Sequence, residues 1–242
     1  MELSKELKMN DIPILIPIKG ISKRCPDKNR KLLPFTIKFI TDQNCTNNTF
    51  VISDSSDLLK LAKSYGLNTY LEVREEGQDE LISCYNFIKN YQYDVFVLLP
   101  VTQPFRDKYL LQKCCSLYRK TINEEIDFIT SFTEVSNRER FYLDFKNDIP
   151  TFKNGHTVRK GESCSSITMI DGAIYMIKTD FIRKTALSQN TNCSFWNGRF
   201  RCVYNKAPFM DVDIDSDMEN IELLRYYYET SMLYLTLKRM KI

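Results

Sequence analysis

The chain has 242 residues, 43% hydrophobic and 12% aromatic, enough for one large domain with a sizeable core. Its 34 basic and 31 acidic residues leave a net charge of +3, too balanced for a dedicated nucleic-acid binder, so no nucleic-acid partner is expected. The opening MELSKELKMNDIP lacks the basic start and apolar run of a signal peptide, and no stretch reaches the roughly 18 apolar residues that span a bilayer, so the expectation is a cytoplasmic protein without a membrane partner.

In chain order, IPILIPI over 12–18 predicts a buried strand, with Pro13 and Pro17 awkward for a central ladder. A strand TFVISD (49–54) leads into a helix capped by Ser55 or Ser56 and stopped by Gly66. NTYLEVR (68–74) predicts a third strand and DELISCYNFIKNY (79–91) a second helix. DVFVLLPV (94–101), the most continuous apolar run, predicts a central strand; a helix over 107–120 and a strand over 127–135 follow. Residues 136–170 are polar and turn-rich and predict an inserted hairpin excursion, after which GAIYMI (172–177) resumes the sheet. The chain closes on a long predicted helix with a Ser216…Glu219 capping box. Repeated strand–helix–strand order predicts a single α/β domain over 1–242: a three-layer, mostly parallel twisted sheet with helices on both faces. In such sheets ligands bind beyond the carboxyl ends of the strands, and each candidate site residue lies at or just after a strand.

Several chemistries are excluded by what is missing. His156 is the sole histidine, the eight cysteines form no CxxC pair, and the seven glycines form neither GxGxxG nor GxxxxGK[ST]. The cysteines therefore read as small core residues, and any metal must be held by carboxylates, which points to magnesium, with manganese as the alternative.

Four constellations remain. In IPIKGISKRCPDKNRKLL (16–33) a strand ends in Lys19 and Gly20, followed by Ser22, Lys23, Lys28 and Asn29. Such a loop is either a solvated basic surface or a triphosphate cradle, in which the glycine admits backbone amides, the lysines supply charge, and Ser22 and Asn29 supply neutral donors. In FMDVDID (209–215) alternate residues of an extended chain share a face, so Asp211, Asp213 and Asp215 repel one another unless a cation sits between them; a cap for the last helix is the alternative. LPVTQPFR (99–106) places Thr102, Gln103 and Arg106 in a turn after the central strand, and Arg74, Asp79 and Ser83 flank the end of the third strand.

Together these stretches resemble the CMP-sialic acid synthetases (acylneuraminate cytidylyltransferases), as a divergent member. Their opening signature [IL]-P-A-R-x-x-S-K-x-x-P-x-K-N is matched at Ile16, Pro17, Ser22, Lys23, Pro26, Lys28 and Asn29, with Ile18 and Lys19 at the two departures. LPVTQPFR echoes the family's LQPTSPLR, Asp171-Gly172-Ala173-Ile174-Tyr175 its NGAIY, and Asp213-Ile214-Asp215 its terminal DIDxxxD. Further departures are Pro100 for Gln, Leu81 for the first serine of an S-x-S pair, Asp171 for Asn, and Met169 for Arg.

The resemblance implies a nucleotidyltransferase in which the anomeric hydroxyl of a 2-keto sugar acid attacks the α-phosphate of CTP and pyrophosphate leaves. It also implies a homodimer, with 136–170 as the dimerisation segment. It implies Lys19, Gly20, Ser22, Lys23, Lys28, Asn29, Arg74 and Ser83 as nucleotide contacts and Thr102, Gln103, Arg106 and Asp171 as sugar contacts. Asp213 and Asp215 would hold magnesium; Lys19, Lys23, Lys28 and Asp213 would be catalytic, Asp213 orienting or deprotonating the sugar hydroxyl. Two other readings stay open at this point: a GT-A-type glycosyltransferase, whose DxD normally lies mid-chain, and a non-catalytic nucleotide-binding homologue.

Overall fold

A computed structural model describes residues 11–136, 143–146, 149–152 and 166–221. Nine strands are found: β1 (Ile14–Ile18), β2 (Thr49–Ser53), β3 (Asn68–Leu71), β4 (Val95–Leu98), β5 (Phe128–Ser136), β6 (Leu143–Lys146), β7 (Ile149–Phe152), β8 (Ser166–Lys178) and β9 (Phe200–Tyr204). Between them lie helices α1 (Lys28–Asp42), α2 (Ser56–Ser64), α3 (Glu80–Ile88), α4 (Leu110–Lys120), α5 (Thr179–Ala186) and α6 (Thr191–Trp196). Seven strands form one sheet in the order β3-β2-β1-β4-β8-β5-β9, while β6 and β7 pair separately. All neighbours in the large sheet run parallel except at β8, which is antiparallel to both β4 and β5.

The expected three layers are present because β1 is apolar at every position. Ile14, Ile16 and Ile18 pack into one core with Leu32, Leu33, Ile37 and Ile40 of α1, Leu58 of α2 and Leu111 of α4. Leu15 points the other way, to Leu81, Phe87 and Ile88 of α3, Ile182 of α5 and Phe195 of α6. A strand buried on both faces reads as a continuous apolar run rather than an alternating one. Cys25, Cys45, Cys84, Cys114 and Cys115 are buried and free, as expected of core cysteines, whereas Cys193 is exposed.

Pro17 is accommodated by the geometry of the ladder. Leu15 accepts from the N–H of Leu99 and Pro13 from that of Val97, so these odd-numbered residues face β4. The β1–β4 register covers only Ile14–Leu15, so Pro17, which has no N–H to donate, falls just past the last rung.

The excursion expected over 136–170 begins and ends as extensions of the main sheet: Phe132–Ser136 pairs with Ser166–Ile170, and the β6–β7 hairpin lies between them. Residues 137–142, 147–148 and 153–165 lie outside the described residues, as does the part of the expected closing helix that falls beyond 221. Helix begins already at 215, which corrects the expected Ser216 cap. Instead the Asp217 carboxylate accepts from the N–H groups of Asp213 (2.9 Å) and Ile214 (3.0 Å), bonds that hold its carboxyl below the usual range. Ser55 caps α2, accepting from Leu58 N.

Between β5 and β8 the register breaks, and Asp171–Ile174 bulge out opposite Ser131. Gly172 holds φ +66°, and a Cβ there would lie 3.1 Å from the Tyr175 hydroxyl. Gly172→Ala should therefore destabilise the fold by about 1–2 kcal/mol, read as a lower urea midpoint with an unchanged m-value.

Candidate active site

At the carboxyl ends of β1, β2 and β4 lies a cleft of two joined chambers. The first, of about 1120 Å³, is lined by the loop after β1 (Lys19, Gly20, Ser22, Lys23, Arg24), by Lys28 and Asn29 at the start of α1, and by Arg74, Asp211 and Asp213. The second, of about 660 Å³, is lined by Thr102, Gln103, Met169, Asp171, Tyr175, Phe195, Trp196 and Phe209, among others. Asp79, Glu80, Thr102 and Asp211 line both.

The basic loop is built as a cradle rather than as loose surface. Gly20 donates its N–H to Asp54 at 2.7 Å and passes so close to the β2–α2 turn that a Cβ would stand 2.9 Å from that of Ser55. Asn29, 7% exposed, donates to the Lys19 carbonyl at 2.7 Å, so its amide shapes the loop. The first turn of α1 holds no acidic side chain and its Asp27 cap makes no side-chain bond, leaving a positive helix end toward the cleft. Lys23 pairs with Glu76 across the mouth at 2.7 Å; both are exposed, so the pair is worth little energetically.

Opposite the cradle, the 211–215 segment is pinned by the Val212 N–H donating to the Thr102 carbonyl at 3.0 Å. Lys28, 7% exposed, donates to the Val212 carbonyl at 2.8 Å and to Asp213 at 3.3 Å. Arg24 grips Asp213 with both terminal nitrogens, at 3.0 and 3.3 Å. Burial, then the adjacent Asp213 charge, pushes the Asp211 carboxyl above the usual range, against Lys28 and a hydrogen bond from Thr102. Asp215 does not line the cleft: with helix beginning at 215 the extended alternation ends, and its carboxylate takes a hydrogen bond from Cys25. The facing acidic pair is thus Asp211 and Asp213, not Asp213 and Asp215. No cluster of three or more metal-ligating side chains exists among the described residues.

Three other expected contacts have structural partners instead. Ser83 is fully buried and accepts from Gln78 Nε2 at 2.9 Å, outside both chambers. Gln78 also bonds Glu72, whose carboxylate lies 3.5 Å from Arg74; Arg74 donates to the Gln78 carbonyl at 3.2 Å and still lines the first chamber. Arg106 reaches neither chamber. It donates to the carbonyls of Pro100 (2.6 Å) and Ala173 (2.8 Å) and to Thr36 Oγ1 (3.1 Å), and burial lowers its pKa to about 9, still charged at neutral pH.

Asp171, 3% exposed, touches the second chamber, but its oxygens are taken up by Ser131, Ala173 N and Asn205 Nδ2, so it holds the β8 bulge together. Thr102 and Gln103 do face the second chamber, and the Gln103 amide has no hydrogen-bond partner among the described residues. Sequence reasoning passed over Glu80, Tyr175, Phe195, Trp196 and Phe209; Tyr175 inside the GAIY motif, Phe209 at the head of FMDVDID and Glu80 beside Asp79 lay in stretches already singled out, whereas Phe195 and Trp196 carried no signal.

The open, mostly parallel sheet is a fold shared with solved cytidylyltransferases. A synthetase of CMP-2-keto-3-deoxy-manno-octonic acid, solved with CTP, superposes with a TM-score of 0.65 at 13% identity over 90% of this chain and 99% of that one. The 2-C-methyl-D-erythritol 4-phosphate cytidylyltransferase of Thermus thermophilus does so with 0.56 at 12% identity, over 89% and 99%. In sequence, the chain is similar to the N-acylneuraminate cytidylyltransferase of Escherichia coli O18:K1:H7, at 30% identity over 43% of this chain and 27% of that protein. It is also similar to N-acylneuraminate cytidylyltransferase A of Danio rerio, at 24% over 89% of this chain. The chain thus spans 27% and 50% of the length of these curated relatives. No family model matches the chain. In sequence it is similar to N-acylneuraminate cytidylyltransferases, and in fold to solved cytidylyltransferases of other acceptors.

Proposed function

We propose that the chain is a magnesium-dependent cytidylyltransferase that joins CMP from CTP to a 2-keto sugar acid and releases pyrophosphate. The observation that carries this reading is the junction of the two chambers: a pocket walled by Lys19, Lys23, Arg24, Lys28 and Arg74 opens directly into one of sugar size lined by aromatic and neutral polar groups together with the carboxylates of Asp79, Glu80, Asp171 and Asp211. Nucleotidyl transfer needs mainly positioning and charge neutralisation, and this cradle supplies both.

In this reading Lys19, Lys23, Lys28 and the α1 N-terminus receive the triphosphate. Arg74 lies along the nucleotide, while Thr102 and Gln103 orient the acceptor. Asp213, with Asp211 in place of Asp215, fits a magnesium ion: two crowded hard-oxygen donors suit a cation that prefers few protein ligands and completes its shell with phosphate oxygens. Such an ion, when bound, neutralises charge on the phosphates. The 2-keto sugar acid and a homodimer contact through the β6–β7 hairpin, which exposes Phe145 and Ile149, rest on the resemblance.

Turnover of a nucleotide-by-acceptor panel tests the proposal. Pyrophosphate should appear only when CTP, a divalent metal and an acceptor such as N-acetylneuraminate or 2-keto-3-deoxy-manno-octonate are all present. Consumption of a nucleotide sugar without CTP would identify a glycosyltransferase, and CTP binding without release under any condition a non-catalytic homologue.

A further inference from the structure

Within the cleft, an acceptor hydroxyl can meet a phosphorus atom held by the cradle only where the chambers join, at Asp79, Glu80, Thr102 and Asp211. The carboxylates at or near that junction are not equivalent. Asp79 caps α3, accepting from Ile82 N at 2.9 Å. Asp211 takes a hydrogen bond from Thr102, and Asp213, held by Arg24 and Lys28, lines the first chamber only. The carboxylate of Glu80, in the first turn of α3, takes part in no hydrogen bond or ion pair among the described residues, yet the residue lines both chambers.

Resting on the reading of the cleft as a nucleotidyltransferase site, we propose that Glu80 is the general base of the transfer, in place of Asp213. As the acceptor oxygen bonds to the α-phosphorus, its proton passes to a Glu80 oxygen. The bond from that phosphorus to the bridging oxygen breaks, and pyrophosphate leaves with the electron pair. The surroundings suit the task. Burial pushes the Glu80 carboxyl up to about 7 and Asp79 adds to the rise, against the attraction of Arg74, Lys19 and Lys28. Tyr175 and Cys84 also face it and are themselves raised, mainly by burial and in part by its charge. A base poised near working pH is the effective one.

The test compares wild type, Glu80→Gln and Glu80→Asp in pyrophosphate release from CTP, with N-acetylneuraminate or 2-keto-3-deoxy-manno-octonate as acceptor, across the neutral pH range. The wild-type rate should rise through a pH of about 7 and then level. Glu80→Gln should lose kcat by about a hundredfold and lose the acidic limb, with the KM for CTP unchanged, while Glu80→Asp keeps a limb. A carbon-13 titration of labelled glutamate carboxyls should show one midpoint near 7 in wild type that vanishes in Glu80→Gln. The folded protein holds this proton to higher pH than the unfolded chain, so ionised Glu80 costs stability; Glu80→Gln should melt no lower than wild type in mildly alkaline buffer. A Glu80→Gln enzyme that keeps the wild-type rate and limb overturns the assignment alone. Absence of wild-type turnover with every nucleotide and acceptor overturns the activity reading and this assignment with it.

Discussion

Replacing Lys28 by methionine should lower kcat/KM for CTP by about a thousandfold, the upper end for removing one preorganised donor from a transition-state site. The size follows from two tasks carried by one side chain. The residue is 7% exposed and lines the first chamber, and its ammonium ties the Val212 carbonyl and Asp213 to the start of α1. Methionine fills the same space, so the α1–β1 packing survives, but the cradle loses a charge and Asp213 keeps only Arg24. Far-ultraviolet circular dichroism should change little and the melting temperature should fall modestly, since the buried Val212 carbonyl loses its charged donor, while steady-state pyrophosphate release collapses. Equal turnover in the variant would remove Lys28 from the triphosphate site. The loss of a cation should also raise the pH at which Glu80 ionises, because Lys28 is among the groups that hold it down.

Arg106→Leu has the opposite profile, a loss of stability. The substitution leaves the Pro100 and Ala173 carbonyls without the guanidinium that bridges the β4 turn to the β8 bulge, and frees Thr36 Oγ1. Hydrogen bonds to a charged donor contribute about 1.5–3 kcal/mol each, and several are lost together, so a drop of about 3 kcal/mol or more is expected. Arg106→Lys should recover only part of it, since an ammonium cannot reproduce the fork. Urea denaturation reads the loss. If Arg106 instead held an acceptor carboxylate, the leucine variant would keep its stability and show a raised KM for the acceptor.

Much of the sheet was legible because a strand buried on both faces writes itself as a continuous apolar run, as in β1 and β4. Helix α1 was not, because Pro34 falls within it and its first turn is the basic cluster that drew attention as a loop. The elements α5, α6 and β9 span only 8, 6 and 5 residues, too few for a period to stand out in the sequence, and with α6 went Phe195 and Trp196 of the second chamber. Motif matching placed Arg106, Asp171 and Ser83 near the cleft in sequence, but spacing does not tell which way a side chain points; all three point into the protein's own hydrogen-bond network. Asp215 was misassigned because its parity with Asp213 holds only while the chain stays extended.

Pro17 stands immediately past the last β1–β4 rung, at the mouth of the cleft. Without an N–H it cannot offer the next bond toward β4, so the two strands cannot zip further together. The edge of the crevice is thus set by covalent structure, a ring nitrogen that carries no hydrogen. The substitution to watch at Pro17 is one that restores the missing hydrogen.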